Sequence, residues 1–295
     1  MSAPAFDADS TLGALLIGTL VSYALFGVMT TQVYVYYGRF QDPWKMKAMV
    51  GAVWCGELAH TICIAISLYT MVITNYGHPE RLLVLPNSLL ASTFIGSLVS
   101  FGVQVFFAIR IYSLSKSWWI PCICWALSLF RLVPPNVILF AYGHRPAHEF
   151  LGKFGPLFDA IWAASAANDL LIAGTLVYLL YRRRSSVFEK TVAAIDKLIQ
   201  WTIETGVVTS IASIIMLVSF ISLPSTFVWL AFFVVIPRLF SNSLMASLNS
   251  RAALRAANEP RLPSSTPAAH ISTLPRPMNS ISIEMNKVTM TAYDD

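Results

Sequence analysis

Residues 227–249 read FVWLAFFVVIPRLFSNSLMASLN. The run is long enough to cross a bilayer, since about 20 apolar residues in a helix match the hydrocarbon core. Yet Pro237 and Arg238 sit near its middle. An arginine at the centre of a lipid-spanning helix costs about 2.5–3.5 kcal/mol on insertion scales. Arg238 must therefore face protein or water, and it needs acidic or carbonyl partners from other helices.

Working outward, the chain supplies those helices. It has 295 residues, 56% hydrophobic and 12% charged. Soluble domains carry roughly twice that charged share. Apolar runs place seven spans at about 12–37, 48–74, 88–113, 118–142, 157–181, 201–223 and 226–249, the fourth interrupted by Pro134 and Pro135. The expected fold is an all-α, polytopic, multi-pass membrane protein with seven transmembrane helices. Residues 1–11 form a short outer N-terminus, 12–249 the bundle, and 250–295 a cytosolic tail. Residues 250–258 could lie as a short helix along the inner surface. The Pro-, Ser- and Thr-rich remainder has little to bury and reads as disordered. Asp7 and Asp9 precede the first span without a basic residue, so that span does not read as a secretory signal.

The net charge of +5 is not a nucleic-acid signal in such a chain; what matters is which loops hold the basic residues. Fifteen Lys and Arg fall on one side and three (Arg81, Arg145, Lys153) on the other. The positive-inside rule then puts the N-terminus outside and the C-terminus in the cytosol. Arg182, Arg183 and Arg184 head a cytosolic basic loop between spans five and six. Tyr34, Tyr36, Tyr37, Trp44, Trp118, Trp119, Tyr178 and Tyr181 lie at span ends as interfacial anchors. Ser88, Ser92, Gly96, Ser100 and Gln104 recur every four residues in span three, and Thr202, Thr205, Thr209 and Ser213 stripe span six, patterns that favour close helix packing. Cys55, Cys63, Cys122 and Cys124 all lie in apolar runs and read as small buried hydrophobes.

Few ionisable residues lie at membrane depth. Glu57 and His60 share a face of span two, being three apart. Arg131 lies in span four, Asp169 in span five, and Arg238 shares a face of span seven with Asn242, four residues on. This buried polar cluster is expected to line a central cavity and to bias helix positions. Arg238 should pair with Asp169 or Glu57, while Arg131 can reach carbonyls freed by Pro134 and Pro135. Polar glue between helices is an equally good reading, although intramembrane charge is a functional hypothesis by default.

Catalytic motifs are sparse. Glu57-x-x-His60 is half of a di-iron helix pattern, and its second copy is absent. His78, His144 and His148 are weak metal candidates in the outer loops. No lysine lies between Lys197 and Lys287, so a last-helix Schiff base to retinal has no residue to form on. The expectation is no cofactor and no catalysis. The lipid bilayer, a small ligand or a cytosolic protein is the expected partner, and nucleic acid is not.

The ending Asn242-Ser243-Leu244-Met245-Ala246-Ser247-Leu248-Asn249-Ser250-Arg251 resembles the N-S-L-x-A-x-L-N-x-R close of a domain of unknown function widespread in mushroom-forming fungi. Asp169, the basic residues after Tyr181 and Thr205-Gly206 match the same domain over about 169–251. Leu25-Phe26-Gly27, Gln32, Tyr36, His60, Gln104-Val105-Phe106-Phe107 and Arg110 match the layout upstream. Ser241 departs from it, standing where an aromatic residue often precedes the Asn-Ser pair. The resemblance implies a seven-helix integral membrane protein and carries no activity. The expected function is receptor-like or scaffolding. A transporter or channel using the same cluster, and a metal-dependent lipid-modifying enzyme, are the alternatives.

Overall fold

The computed structural model describes residues 7–258 apart from 79, 80, 83, 185–188 and 224–225, with side chains omitted at 147, 148, 150, 151, 189–191, 193, 194 and 252–258. The expected disordered tail lies outside these residues beyond Asn258. Among the described residues, seven helices are long and apolar enough to cross a membrane. They are α1 (Ala14–Arg39), α2 (Trp44–Tyr69), α3 (Asn87–Ser115), α4 (Trp119–Tyr142), α5 (Ala147–Arg184), α6 (Glu189–Ser222) and α7 (Val228–Asn258). The chain is a multi-pass membrane protein, for which the bilayer is the solvent.

Sequential helices pack side by side, and α1 closes the ring against α7. Two helices reach inward: α3 also touches α5 and α7, and α7 also touches α2. Burial follows, since 56% of the apolar stretch of α7 is buried against 17% for α4. Close approach depends on small residues. A Cβ built on Gly18 would lie 2.7 Å from the Cα and Cβ of Ala231, so α1 and α7 meet almost backbone to backbone. A Cβ on Gly206 would lie 2.5 Å from that of Ala173, which sets α6 against α5. The outer surface is apolar, with residues such as Ile17, Leu20, Val137 and Phe140 exposed. Water would not tolerate so continuous an apolar surface, but lipid does.

Several expectations need correction. Pro134 and Pro135 do not interrupt α4, which runs through both. At 38 residues and 1.5 Å each, α5 is roughly 57 Å long, well beyond a hydrocarbon core of about 30 Å. It therefore leaves the membrane still helical, and Arg182, Arg183 and Arg184 are its last turn rather than a loop. Residues 250–258 continue α7 and form no separate surface helix. Tyr36 is no lipid anchor: it is fully buried, and its hydroxyl donates to Asp42 Oδ2 at 2.9 Å. Only Cys124 of the four cysteines is fully buried, while Cys55 and Cys122 are exposed on the outer surface.

Candidate functional site

On α7, Arg238, Ser241 and Asn242 stand at i, i+3 and i+4 and so share a face. That face meets α1 and α2. Arg238 Nη1 donates to the Glu57 side-chain Oε2 and, at 2.9 Å, to the Glu57 backbone carbonyl. Its Nε donates to Ser22 Oγ at 3.0 Å and its Nη2 to Thr61 Oγ1 at 2.8 Å. Ser241 donates to the second Glu57 carboxylate oxygen. The guanidinium also sits 5.2 Å from the Phe26 ring centre. Arg238 and Glu57 are both 0% exposed. A buried pair of this kind is tolerable because its donors and acceptors are filled on every side. Removing one partner would strand a charge.

The same seam continues along the bundle. Asn242 Nδ2 donates to the Leu25 carbonyl at 3.1 Å, and Asn249 Nδ2 to the Gln32 carbonyl at 2.9 Å. Donors and acceptors both advance by seven residues, so α1 and α7 run parallel in a fixed register. Arg251 closes the seam on Asp42, with Nη2 to Oδ2 at 2.6 Å and Nη1 to Oδ1 at 3.2 Å.

His60, one turn beyond Glu57, is different. Its Nδ1 lies 4.0 Å from Glu57 Oε2 and makes no hydrogen bond. The ring presses on α3, where a Cβ on Gly96 would come within 3.0 Å of Nε2. It also lines a cavity of about 80 Å³ enclosed mainly by α3, α4, α5 and α7, bounded by Arg131, Asn136, Trp162, Ser165 and Trp229 among others. The lining comes from the starts of α3 and α7 and the ends of α4 and α6, so the cavity lies in the half of the bundle nearer the N-terminus.

Arg131 makes no hydrogen bond or ion pair among the described residues, and its Nη1 is buried without a partner. Its guanidinium instead sits 4.7 Å from the Phe240 ring centre. Phe240 also lines a second, smaller cavity of about 50 Å³ towards the other end, with Asp169, Gln104, Thr205, Gly206 and Ser247. Asp169 Oδ1 accepts from Gln104 Nε2 at 3.0 Å, while its Oδ2 is buried and unpartnered. Phe240 therefore stands between a cavity with a free guanidinium and one with a half-satisfied carboxylate.

The expected cluster is thus divided. Glu57, Arg238 and Asn242 form a closed seam, with Glu57 and Arg238 sealed rather than lining a cavity. His60 and Arg131 reach the first cavity and Asp169 the second. Arg238 takes Glu57 as partner, not Asp169. Arg131 does not bond the carbonyls near Pro134 and Pro135; Asn136 Nδ2 donates to the Leu132 carbonyl at 2.6 Å. Arg184 pairs with Asp196 of α6 at 3.0 Å, and Arg182 lies over the Tyr178 ring. His78 follows α2 and His144 follows α4, while the side chain of His148 lies outside the described residues. Among the described residues, no three His, Cys, Asp or Glu side chains gather to hold a metal.

The sequence reading missed Ser22, Thr61, Ser241 and the Asp42–Arg251 pair. Spacing held a partial signal: Thr61 is one turn from Glu57 and Ser241 one turn from Arg238. Ser and Thr are common throughout the spans, so spacing alone does not single these out.

The sequence pattern of a family described as "Family of unknown function (DUF6534)" matches residues 165–253, from within α5 to near the end of α7. The last three helices are thus similar to a domain without an assigned activity. No curated protein and no solved structure matches the chain.

Proposed function

We propose that this is a receptor-like seven-helix membrane protein that takes a small ligand in the cavity lined by His60 and Arg131. The cavity carries this reading. Six helices contribute to its wall, so an occupant that fits one arrangement of them better than another would shift their positions. The seam between α1, α2 and α7 supplies a fixed frame against which α3 to α6 can move. In this reading the N-terminus is outside and the C-terminus cytosolic, supported by the fifteen-to-three distribution of basic residues. The cavity then lies in the outer half of the bundle. The long basic end of α5, with the start of α6, offers a site for a cytosolic protein. The chain performs no catalysis, and stoichiometric metal in the purified protein would count against this. We attribute the ending at 242–251 to the domain seen in mushroom-forming fungi.

Thermal-shift screening of the purified protein with small molecules tests the cavity reading, with Ser165→Trp as a cavity-filling control. Compounds that bind there stabilise the natural protein and lose most of that effect in the variant. Equal stabilisation of both would sink the reading. Reporter fusions at residues 150 and 260 should report opposite sides, and the same side for both would overturn the orientation.

A transporter or channel is the second reading. It is favoured by the cavity on the far side of Phe240, which would make Phe240 a barrier between two half-paths. Liposome flux that disappears in Asp169→Asn would select it over the receptor.

A further inference from the structure

We propose that the cavity lined by His60 and Arg131 takes a small aromatic or short-chain carboxylate, its anionic group held by Arg131. This rests on the cavity being a ligand site, as set out above.

The arginines of the bundle differ in what they meet. Arg238 has Glu57, Arg251 has Asp42, and Arg110 donates to Ser247. Arg131 has neither an acid nor a hydroxyl within hydrogen-bond reach among the described residues. A guanidinium offers five donors and cannot shed its charge in a protein, so burying it without acceptors is costly. Among the described residues its one cation–π contact is with the face of Phe240. Asp169 acts on it from beyond ion-pair distance, on the other side of that ring. Among the described residues Arg131 is thus a cation without a direct ion pair, on the wall of a cavity.

The rest of the wall agrees. Arg131 is its one Lys or Arg, and no Asp or Glu lines it among the described residues. Apart from His60, the remaining polar groups are the neutral side chains of Ser92, Thr93, Ser97, Ser100, Asn136, Ser165 and Ser213. Ser92, Thr93, Ser97 and Ser100 give their hydroxyl protons to carbonyls of their own helix and Asn136 its amide to Ser97 and Leu132, which leaves Ser165 and Ser213 to meet a carboxylate's remaining lone pairs. The far wall is aromatic, with Phe158, Trp162, Trp229 and Phe233. Size narrows the class further. About 80 Å³ holds roughly half a dozen water-sized groups, taking ~10–15 Å³ for each. That is the scale of a benzoate or a short-chain acid, and too small for a whole lipid. A carboxylate meets a planar guanidinium with two parallel N–H···O bonds, which an ammonium or a neutral polar group cannot do.

The test uses the full-length protein in nanodiscs, with 4-fluorobenzoate and its neutral isostere 4-fluorobenzamide followed by fluorine NMR and empty discs as the blank. The expected result is binding of the acid about tenfold or more tighter than the amide, the scale of a charge-assisted bond. Arg131→Gln should abolish that preference by bringing acid binding down to the level of the amide, and Arg131→Lys should keep part of it. A gel-filtration profile like that of the natural protein shows that each variant is folded. Equal binding of acid and amide would overturn the carboxylate assignment alone and leave the cavity reading intact. Loss of both ligands in a folded Arg131→Gln would also overturn it, since Arg131 would then be shaping the cavity rather than reading charge. Binding of neither ligand, or binding that Ser165→Trp does not reduce, would remove the cavity reading and this inference together.

Discussion

The two sides of the bundle treat buried charge in opposite ways. Between α1, α2 and α7, Arg238 and Glu57 share hydroxyls, a carbonyl and each other, and neither is exposed. Between α3, α4, α5 and α7, Arg131 and Asp169 each keep a buried polar atom without a partner and border on open space. All four residues lie within membrane-spanning helices, so lying in a span does not separate structural charge from functional charge. Satisfaction of the charged groups does: on the closed side Arg238 and Glu57 are partnered and, among the described residues, only the amide oxygens of Gln32, Asn242 and Asn249 lack donors, whereas the open side leaves a guanidinium and a carboxylate short of partners.

Substitutions should reproduce that contrast, and the largest effect belongs to the seam. Glu57→Ala leaves Arg238 charged and buried, so the loss should be about 3–5 kcal/mol, read as a collapse of the folded fraction on gel filtration or thermal unfolding. The double change Glu57→Leu with Arg238→Met should recover much of that loss, because it removes both charges together. Next comes Gly18→Leu, which drives a side chain into Ala231. Overpacking should cost about 1–3 kcal/mol and lower the unfolding temperature. Asn242→Ala removes one bond between α1 and α7 and should cost about 0.6–1.7 kcal/mol, the range for polar contacts between membrane helices. Arg131→Met on the open side should change stability least, within about 1 kcal/mol, since no hydrogen bond is lost. A loss as large as that of Glu57→Ala would erase the distinction.

Much of this was legible in the sequence, and the remainder was not for identifiable reasons. Apolar run length located all seven helices. The cost of a buried guanidinium said that Arg238 needs a partner, and Glu57 was on the short list. Choosing Glu57 over Asp169 required the rotation of each helix about its axis, which residue depth does not encode. The division of the cluster into a seam and two cavities was hidden for the same reason. Arg182 to Arg184 looked like a loop because polarity marks the membrane edge, whereas a helix can continue past it. Pro134 and Pro135 suggested a break, but neighbouring helices support α4 through them. Tyr36 looked like an anchor because aromatic residues cluster at interfaces, and its bond to Asp42 needed the turn between α1 and α2 to be placed.

The central claim, that one side is sealed and the other open, can be measured directly by cysteine accessibility in membranes. With Cys55, Cys63, Cys122 and Cys124 replaced, single cysteines at Ser22 and Ser241 on the seam are compared with ones at Ser92 and Ser165 on the cavity wall, using a small water-soluble thiol reagent. The account predicts modification at Ser92 and Ser165, and none at Ser22 or Ser241 while the protein stays folded. Modification of the seam positions at the rate of the cavity positions would contradict it.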